Sequence, residues 1–312
     1  MIARSRSTDR TRTGLAGRIR GERAALLAVP LLSVLWGLNW PAVRLCLVEI
    51  PPWTLRTTGM AAAGLCLLGA ALATGRPLFV PRAHWPRLAA SGLLALAAFN
   101  VLLAFAQLHA ATSRAAIVAF TMPVWTALLA WPVLGERPDR GRLLGLGLGL
   151  IGLAALSLPL LREGALTIGL LWALLGGTSW AAGTVVAKRW PVGAPPITVA
   201  AWQLLVGATA AGVGMLAFEG VPRPGPVGPV TAAALAWHVL LAQALAYLLW
   251  FAVLPRLSAG TATLGTLLVP AVGVLGAAAL LGERPTATDL AGLALVTAAA
   301  ATILLPRSAT RR

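Results

Sequence analysis

The chain has 312 residues, of which 58% are hydrophobic and 11% charged, with a mean hydropathy of +0.83. A water-soluble fold could not hide that much apolar surface, so a soluble globular domain is excluded. The formal charge of +16 does not signal nucleic acid, because the arginines lie between apolar blocks and at the two ends, not on one face interleaved with aromatics.

In chain order, residues 1–23 are polar and basic, and read as a disordered cytoplasmic tail that sets orientation. The apolar run that follows is too long for a secretory signal and lacks a clear small-residue cleavage site, so it reads as a retained first span. Apolar blocks of roughly 20 residues, enough to cross about 30 Å of hydrocarbon as helices, predict ten spans. These lie near 24–44, 53–74, 87–108, 113–134, 141–161, 166–188, 198–219, 231–254, 259–281 and 288–306, before a short tail at 307–312. An even number puts both termini on one side. With the termini inside, nineteen Lys and Arg residues fall on inner segments and five on outer ones, a strong positive-inside bias. Lys188 is the single lysine, and Cys46 and Cys66 form no CxxC pair, so both read as small packing residues.

One stretch occurs twice. The run from Ala115 through Pro123 to Leu134-Gly-Glu-Arg-Pro138 returns 147 positions later, from Ala262 through Pro270 to Leu281-Gly-Glu-Arg-Pro285. Trp36-Gly-Leu-Asn-Trp-Pro-Ala-Val-Arg44 aligns with Trp180-Ala-Ala-Gly-Thr-Val-Val-Ala-Lys188, and Pro51-Pro52 with Pro195-Pro196, at an offset of 144. The duplication divides the chain into five-span repeats at 24–161 and 162–306. Because five is odd, the second copy enters the membrane upside down. The predicted fold is therefore an all-α integral membrane protein of ten transmembrane helices in two inverted five-helix repeats, an architecture of many secondary transporters.

The WGLNW of Trp36–Trp40, the proline-centred fourth span closed by Gly135-Glu-Arg-Pro138, and the repetition of the whole resemble EamA-type members of the drug/metabolite transporter superfamily. The resemblance covers about residues 24–306. It implies a ten-helix carrier of the bacterial inner membrane, multi-pass with both termini cytoplasmic, that exports amino acids, related metabolites or toxic compounds. Arg56 is similar to the arginine common early in the family's second span. The second copy departs from the pattern, with Gly183 at the position of Asn39 and Ala200 at that of Arg56, which implies asymmetric substrate contacts.

Pro123 and Pro270 stand near the centres of spans 4 and 9. Each removes a backbone bond, leaving the carbonyls of Ala119 and Thr266 in need of partners. Two readings stand: bending helices that line a cavity and gate it, or static kinks repaired by a neighbouring Thr. Helical spacing groups polar and aromatic residues beside them. Thr263 and Thr266 share a face of span 9 with Pro270, and Thr126 shares one of span 4 with Pro123. Gln243, Tyr247 and Trp250 share a face of span 8, and Asn100 and Gln107 one of span 3. Trp36, Asn39 and Trp40 cluster on span 1, and Trp180 and Thr184 on span 6. Amides are costly in lipid, so these residues should point inward, either lining a substrate cavity or bonding helix to helix. The cavity so implied is aromatic and amide-lined with little fixed charge, suited to a neutral or zwitterionic solute.

Arg56, about one turn into span 2, either snorkels to the interface or pairs with Glu49, or else binds a substrate carboxylate. Every carboxylate falls in a tail or at a span end, so a mid-membrane proton relay has no acidic member. His238 and His109 read as hydrogen-bonded residues near helix ends, with a proton role as the alternative. Gly135 and Gly282 read as helix stops, with Glu136 and Glu283 meeting the dipole of the helix that follows. Gly141, Gly145 and Gly149 allow a close helix approach, either internal or in a homodimer, so the sequence leaves monomer and homodimer both open. The alternative function, a membrane enzyme acting on a lipid or isoprenoid, would need a catalytic cluster such as HExxH or DDxxD, and none occurs. No cofactor and no metal is expected. The partners expected are a small-molecule substrate and the bilayer.

Overall fold

The computed structural model describes residues 24–137, 139–162, 168–222 and 225–284, with scattered positions beyond as far as Ala298. The expected tails at 1–23 and 307–312 lie outside the described residues, as does most of the tenth expected span. The described helices are α1 (Ala24–Cys46), α2 (Pro52–Ala73), α3 (Arg82–His109), α4 (Thr112–Leu134), α5 (Arg140–Arg162), α6 (Ile168–Arg189), α7 (Pro196–Phe218), α8 (Pro229–Val253) and α9 (Ala259–Leu281). Eight of these, α1 to α4 and α6 to α9, are long and apolar enough to cross a membrane, and α5 carries the apolar segment Leu143–Gly152. Proline opens α2, α7 and α8 at their first turns, where its missing N–H costs nothing. Gly135 and Gly282 end α4 and α9 in the left-handed conformation, with φ of 69° and 71°.

Large apolar side chains on the outward faces, such as Leu27, Leu65, Leu72 and Val213, are exposed. That is what a lipid-facing surface requires. Inside, α2 packs along α7, its counterpart in the other half. α6 packs against α3 and α4, while α1 packs against α8 and the second half of α9. Each half's first helix is thus clasped by the third and fourth helices of the other half. α5 lies beside α4 and α9, and Gly141, Gly145 and Gly149 are all buried, so this stripe serves packing within the chain.

The helices that build the interior are interrupted. α1 has a turn at Leu38, α4 at Phe120–Thr121 and α9 at Thr266–Leu267. α3 widens into π-helical turns over Leu93–Ala98, and α8 does so over Trp237–Leu245. The two prolines therefore start second half-helices rather than kinking continuous ones. The Ala119 carbonyl lies against α6 at Gly177, where a Cβ would sit 2.5 Å from its oxygen. The Thr266 carbonyl, expected to lack a partner, accepts the Val269 N–H at 2.9 Å, because the break lets a tighter turn form there.

Charged side chains tie the ends together. Glu219 accepts from the backbone N–H groups of Trp53 and Thr54 at 2.8 and 2.7 Å, capping α2 where the helix dipole favours an anion. Glu136 accepts from the N–H groups of Ala259 and Gly260 at 3.1 and 3.4 Å. It therefore caps α9, not the helix that follows it in sequence, because the tertiary fold brings the start of α9 beside the end of α4. Glu49 accepts from the Thr231 hydroxyl and the Gly228 N–H. Those bonds, the Thr231 one foremost, hold its carboxyl below its ordinary range. Arg44 donates to the Gln107 carbonyl at 2.7 Å, and Lys188 to the Leu254 carbonyl at 3.0 Å. Arg44 and Lys188 are aligned in the duplication, and their acceptors lie 147 positions apart.

Candidate functional site

A narrow cavity of about 50 Å³ lies among α1, α2, α3, α4, α6, α8 and α9. From the candidates drawn from the sequence, Trp36, Asn39 and Trp40 line it from α1, and Asn100 and Gln107 from α3. Trp180 lines it from α6, Gln243 and Tyr247 from α8, and Thr266 from α9. Four candidates lie elsewhere. Thr126 and Thr263 turn back to bond the carbonyls of Met122 and Ala259 within their own helices, at 2.9 and 2.7 Å. Thr184 is buried without a hydrogen-bond partner. Trp250 stands behind the lining, with its ring centroid 4.8 Å from that of Trp180 and 5.7 Å from that of Trp36. Pro123 and Pro270 are buried beside the cavity but do not line it.

Residues matched in the duplication meet here. Asn100 Nδ2 donates to the Tyr247 hydroxyl at 3.2 Å, and these two residues are 147 positions apart. The aligned Trp36 and Trp180 pack edge to face, 6.4 Å between centroids. Both pairs join a residue of one half to its match in the other, so they lie where the two halves meet.

The polar wall is a single network. Gln243 Nε2 donates to Asn100 Oδ1 at 3.0 Å, and Asn100 also donates to the Leu96 carbonyl at 2.9 Å. Arg56 Nη1 reaches Asn100 Oδ1 at 3.3 Å and His238 Nε2 at 3.5 Å. His238 Nδ1 lies 2.9 Å from Asn39 Oδ1. The snorkelling and Glu49-paired readings of Arg56 are thus overturned. It is 2% exposed and lines the cavity, while Glu49 is occupied by Gly228 and Thr231. His238 is likewise not a helix-end residue but fully buried within α8. Regular helical spacing missed it because residues five apart point in different directions on an α-helix. The π-helical turns of α8 bring His238 and Gln243 to one face, 3.5 Å apart. In the sequence Arg56 stands out as a charge about one turn into an apolar block. The little fixed charge expected of the cavity lining is that of Arg56.

A larger cavity of about 560 Å³ opens at the end of the molecule that carries Arg87, Lys188 and Arg256. Ser91, Gln203 and Phe251 also line it, and Ser91 donates to Gln203 Oε1 at 3.0 Å. Among the described residues, no group of three or more His, Cys, Asp or Glu side chains could hold a metal ion.

Apolar spanning helices, broken around a buried polar cavity, define a polytopic membrane protein of the carrier type. The EamA-like transporter family matches residues 23–158 and again residues 167–305, and the chain belongs to that family. It is a transporter. It is similar to an uncharacterized transporter, YvbV, of Bacillus subtilis, with 28% identity over 88% of this chain and 89% of the relative. It is also similar to a "Probable amino-acid metabolite efflux pump" of Salmonella typhimurium, with 27% identity over 86% of this chain and 90% of the relative. A solved crystal structure, 23% identical, shares the fold with a TM-score of 0.70 over 90% of this chain and 98% of that one.

Proposed function

We propose that the protein exports small neutral or zwitterionic metabolites, amino acids among them, by alternating access. The observation that carries this reading is the cavity itself, buried, aromatic and amide-lined, at the contact of the matched pairs Asn100–Tyr247 and Trp36–Trp180. The name of the Salmonella relative supports the solute class. The reading takes the two family matches as inverted repeats of five spans, ten in all, in the bacterial inner membrane with both termini cytoplasmic. The positive-inside bias and the odd number of spans per repeat support that orientation. The 560 Å³ cavity at the Lys188 and Arg256 end is then a cytoplasmic vestibule, and the breaks at Pro123 and Pro270 are where α4 and α9 bend.

The test is counterflow in liposomes loaded with unlabelled amino acids, using a labelled mixture of the protein amino acids outside. Accumulation above empty-liposome background is the expected result. Its absence across the whole mixture refutes amino-acid export.

A further inference from the structure

We infer that Arg56 is the carboxylate anchor of a zwitterion site in the central cavity, with the side-chain oxygens of Gln243 and Gln107 receiving the substrate's ammonium group. The choice of an α-amino acid as ligand rests on the export reading above; the anion site does not.

The first observation is a charge without a counter-charge. Arg56 is 2% exposed inside α2, and no carboxylate pairs with it among the described residues. The chain's nine acidic residues all lie in a tail or at predicted span ends, so none is placed to neutralise it at depth. An uncompensated cation there is strongly unfavourable, and such residues are found where they meet a partner, water or a solute.

The second observation is unused donor capacity. The two contacts of Nη1 are long, at 3.3 Å to Asn100 and 3.5 Å to His238, and Nε is buried with no partner. His238 adds no negative charge. Its Nδ1 faces the Asn39 carbonyl oxygen, which can only accept, so Nδ1 carries the hydrogen and Nε2 offers a neutral lone pair. A guanidinium held on one side by two neutral acceptors still presents a fork that matches a carboxylate.

The third observation supplies the other half of the ligand. Gln243 donates through Nε2 to Asn100, which fixes its orientation and leaves Oε1 buried and unpartnered. Gln107 Oε1 is also buried and unpartnered, and both residues line the same cavity as Arg56. Buried polar groups rarely go unsatisfied. A plain anion would leave both oxygens unmatched, and a neutral apolar solute would leave all three groups so. A carboxylate and an ammonium on one small molecule satisfy all three. The volume of about 50 Å³ corresponds to a few water molecules, which is room for such a head group. Trp36, Phe99 and Trp180 then face its substituent.

The experiment compares acids with blocked analogues on purified protein. In counterflow with the labelled amino-acid mixture, unlabelled amino acids should compete, whereas their amides and methyl esters should compete at least tenfold less well. Arg56→Gln and Arg56→Lys should each lower uptake about ten- to a hundredfold, the loss expected for a charge-assisted bidentate bond. Amides competing as well as acids on the wild type would overturn the proposal, whether or not either variant folds. Thermal stabilisation by glycine but not by glycinamide reads binding separately from flux. Stabilisation without counterflow refutes export and supports the anchor. Counterflow indifferent to carboxylate blocking refutes the anchor and supports export. Neither flux nor stabilisation refutes both.

Discussion

At the residue scale, the buried network depends on the small size of one neighbour. A Cβ added at Gly59 would lie 3.0 Å from His238 Nε2 and 3.1 Å from its Cδ2. The ring cannot retreat freely, since Nδ1 is held by Asn39 and Gln243 stands beside it. Gly59→Ala is therefore expected to push His238 off its contact with Arg56 and disturb the cavity wall. Gly→Ala favours an exposed helix, so a purely local effect would leave the protein unchanged or slightly stabilised. The expected outcome is a several-fold fall in counterflow with the melting temperature altered by only a few degrees. Wild-type flux in Gly59→Ala would show that the histidine contact does not matter.

At the element scale, the breaks in α4 and α9 are the structural use of Pro123 and Pro270. The backbone on either side is already satisfied: Phe120 N–H bonds the Ala116 carbonyl at 3.0 Å, and Val269 N–H bonds Thr266 at 2.9 Å. Replacing either proline with Ala restores an N–H donor and lets the helix run through, at little cost to the resting structure. If the breaks are where the helices bend during transport, Pro123→Ala and Pro270→Ala should each slow flux several-fold while melting within a few degrees of wild type. Unchanged flux in both would make the breaks static features. The sequence pointed to these positions because a proline inside an apolar block interrupts the backbone bonding that hydrocarbon demands. It could not distinguish a kink from a full break, which is seen in the turns at Phe120–Thr121 and Thr266–Leu267.

At the scale of the whole molecule, an inverted arrangement has a direct topological consequence. The turns after Gly135 and Gly282 are equivalent in the duplication, so they should lie on opposite faces of the membrane. Single cysteines at Arg137 and Arg284, in a background lacking Cys46 and Cys66, should be labelled by an impermeant reagent from opposite sides. Labelling from one side would refute the inversion and the alternating-access reading with it.

The positions of eight spans, the duplication and most of the cavity candidates were legible in the amino-acid order. A membrane demands long apolar helices with satisfied backbones, and any amide or proline inside them stands out against that background. Arg56 was visible as a charge, but its partners were not, because Asn100 and His238 come from helices 44 and 182 positions away. His238 itself escaped the periodicity because π-helical turns rotate it onto the face of Gln243. Glu136 was assigned to the wrong helix for the same reason, since which helix start lies beside it is a matter of packing and not of neighbourhood in the chain. What the sequence determined by itself was therefore local: composition, span length, repeat and the chemistry available in each helix. Only the tertiary structure decided which of those groups share a cavity and which are left there with unmatched charge or hydrogen-bonding capacity, because such contacts are made between elements that sequence spacing does not relate.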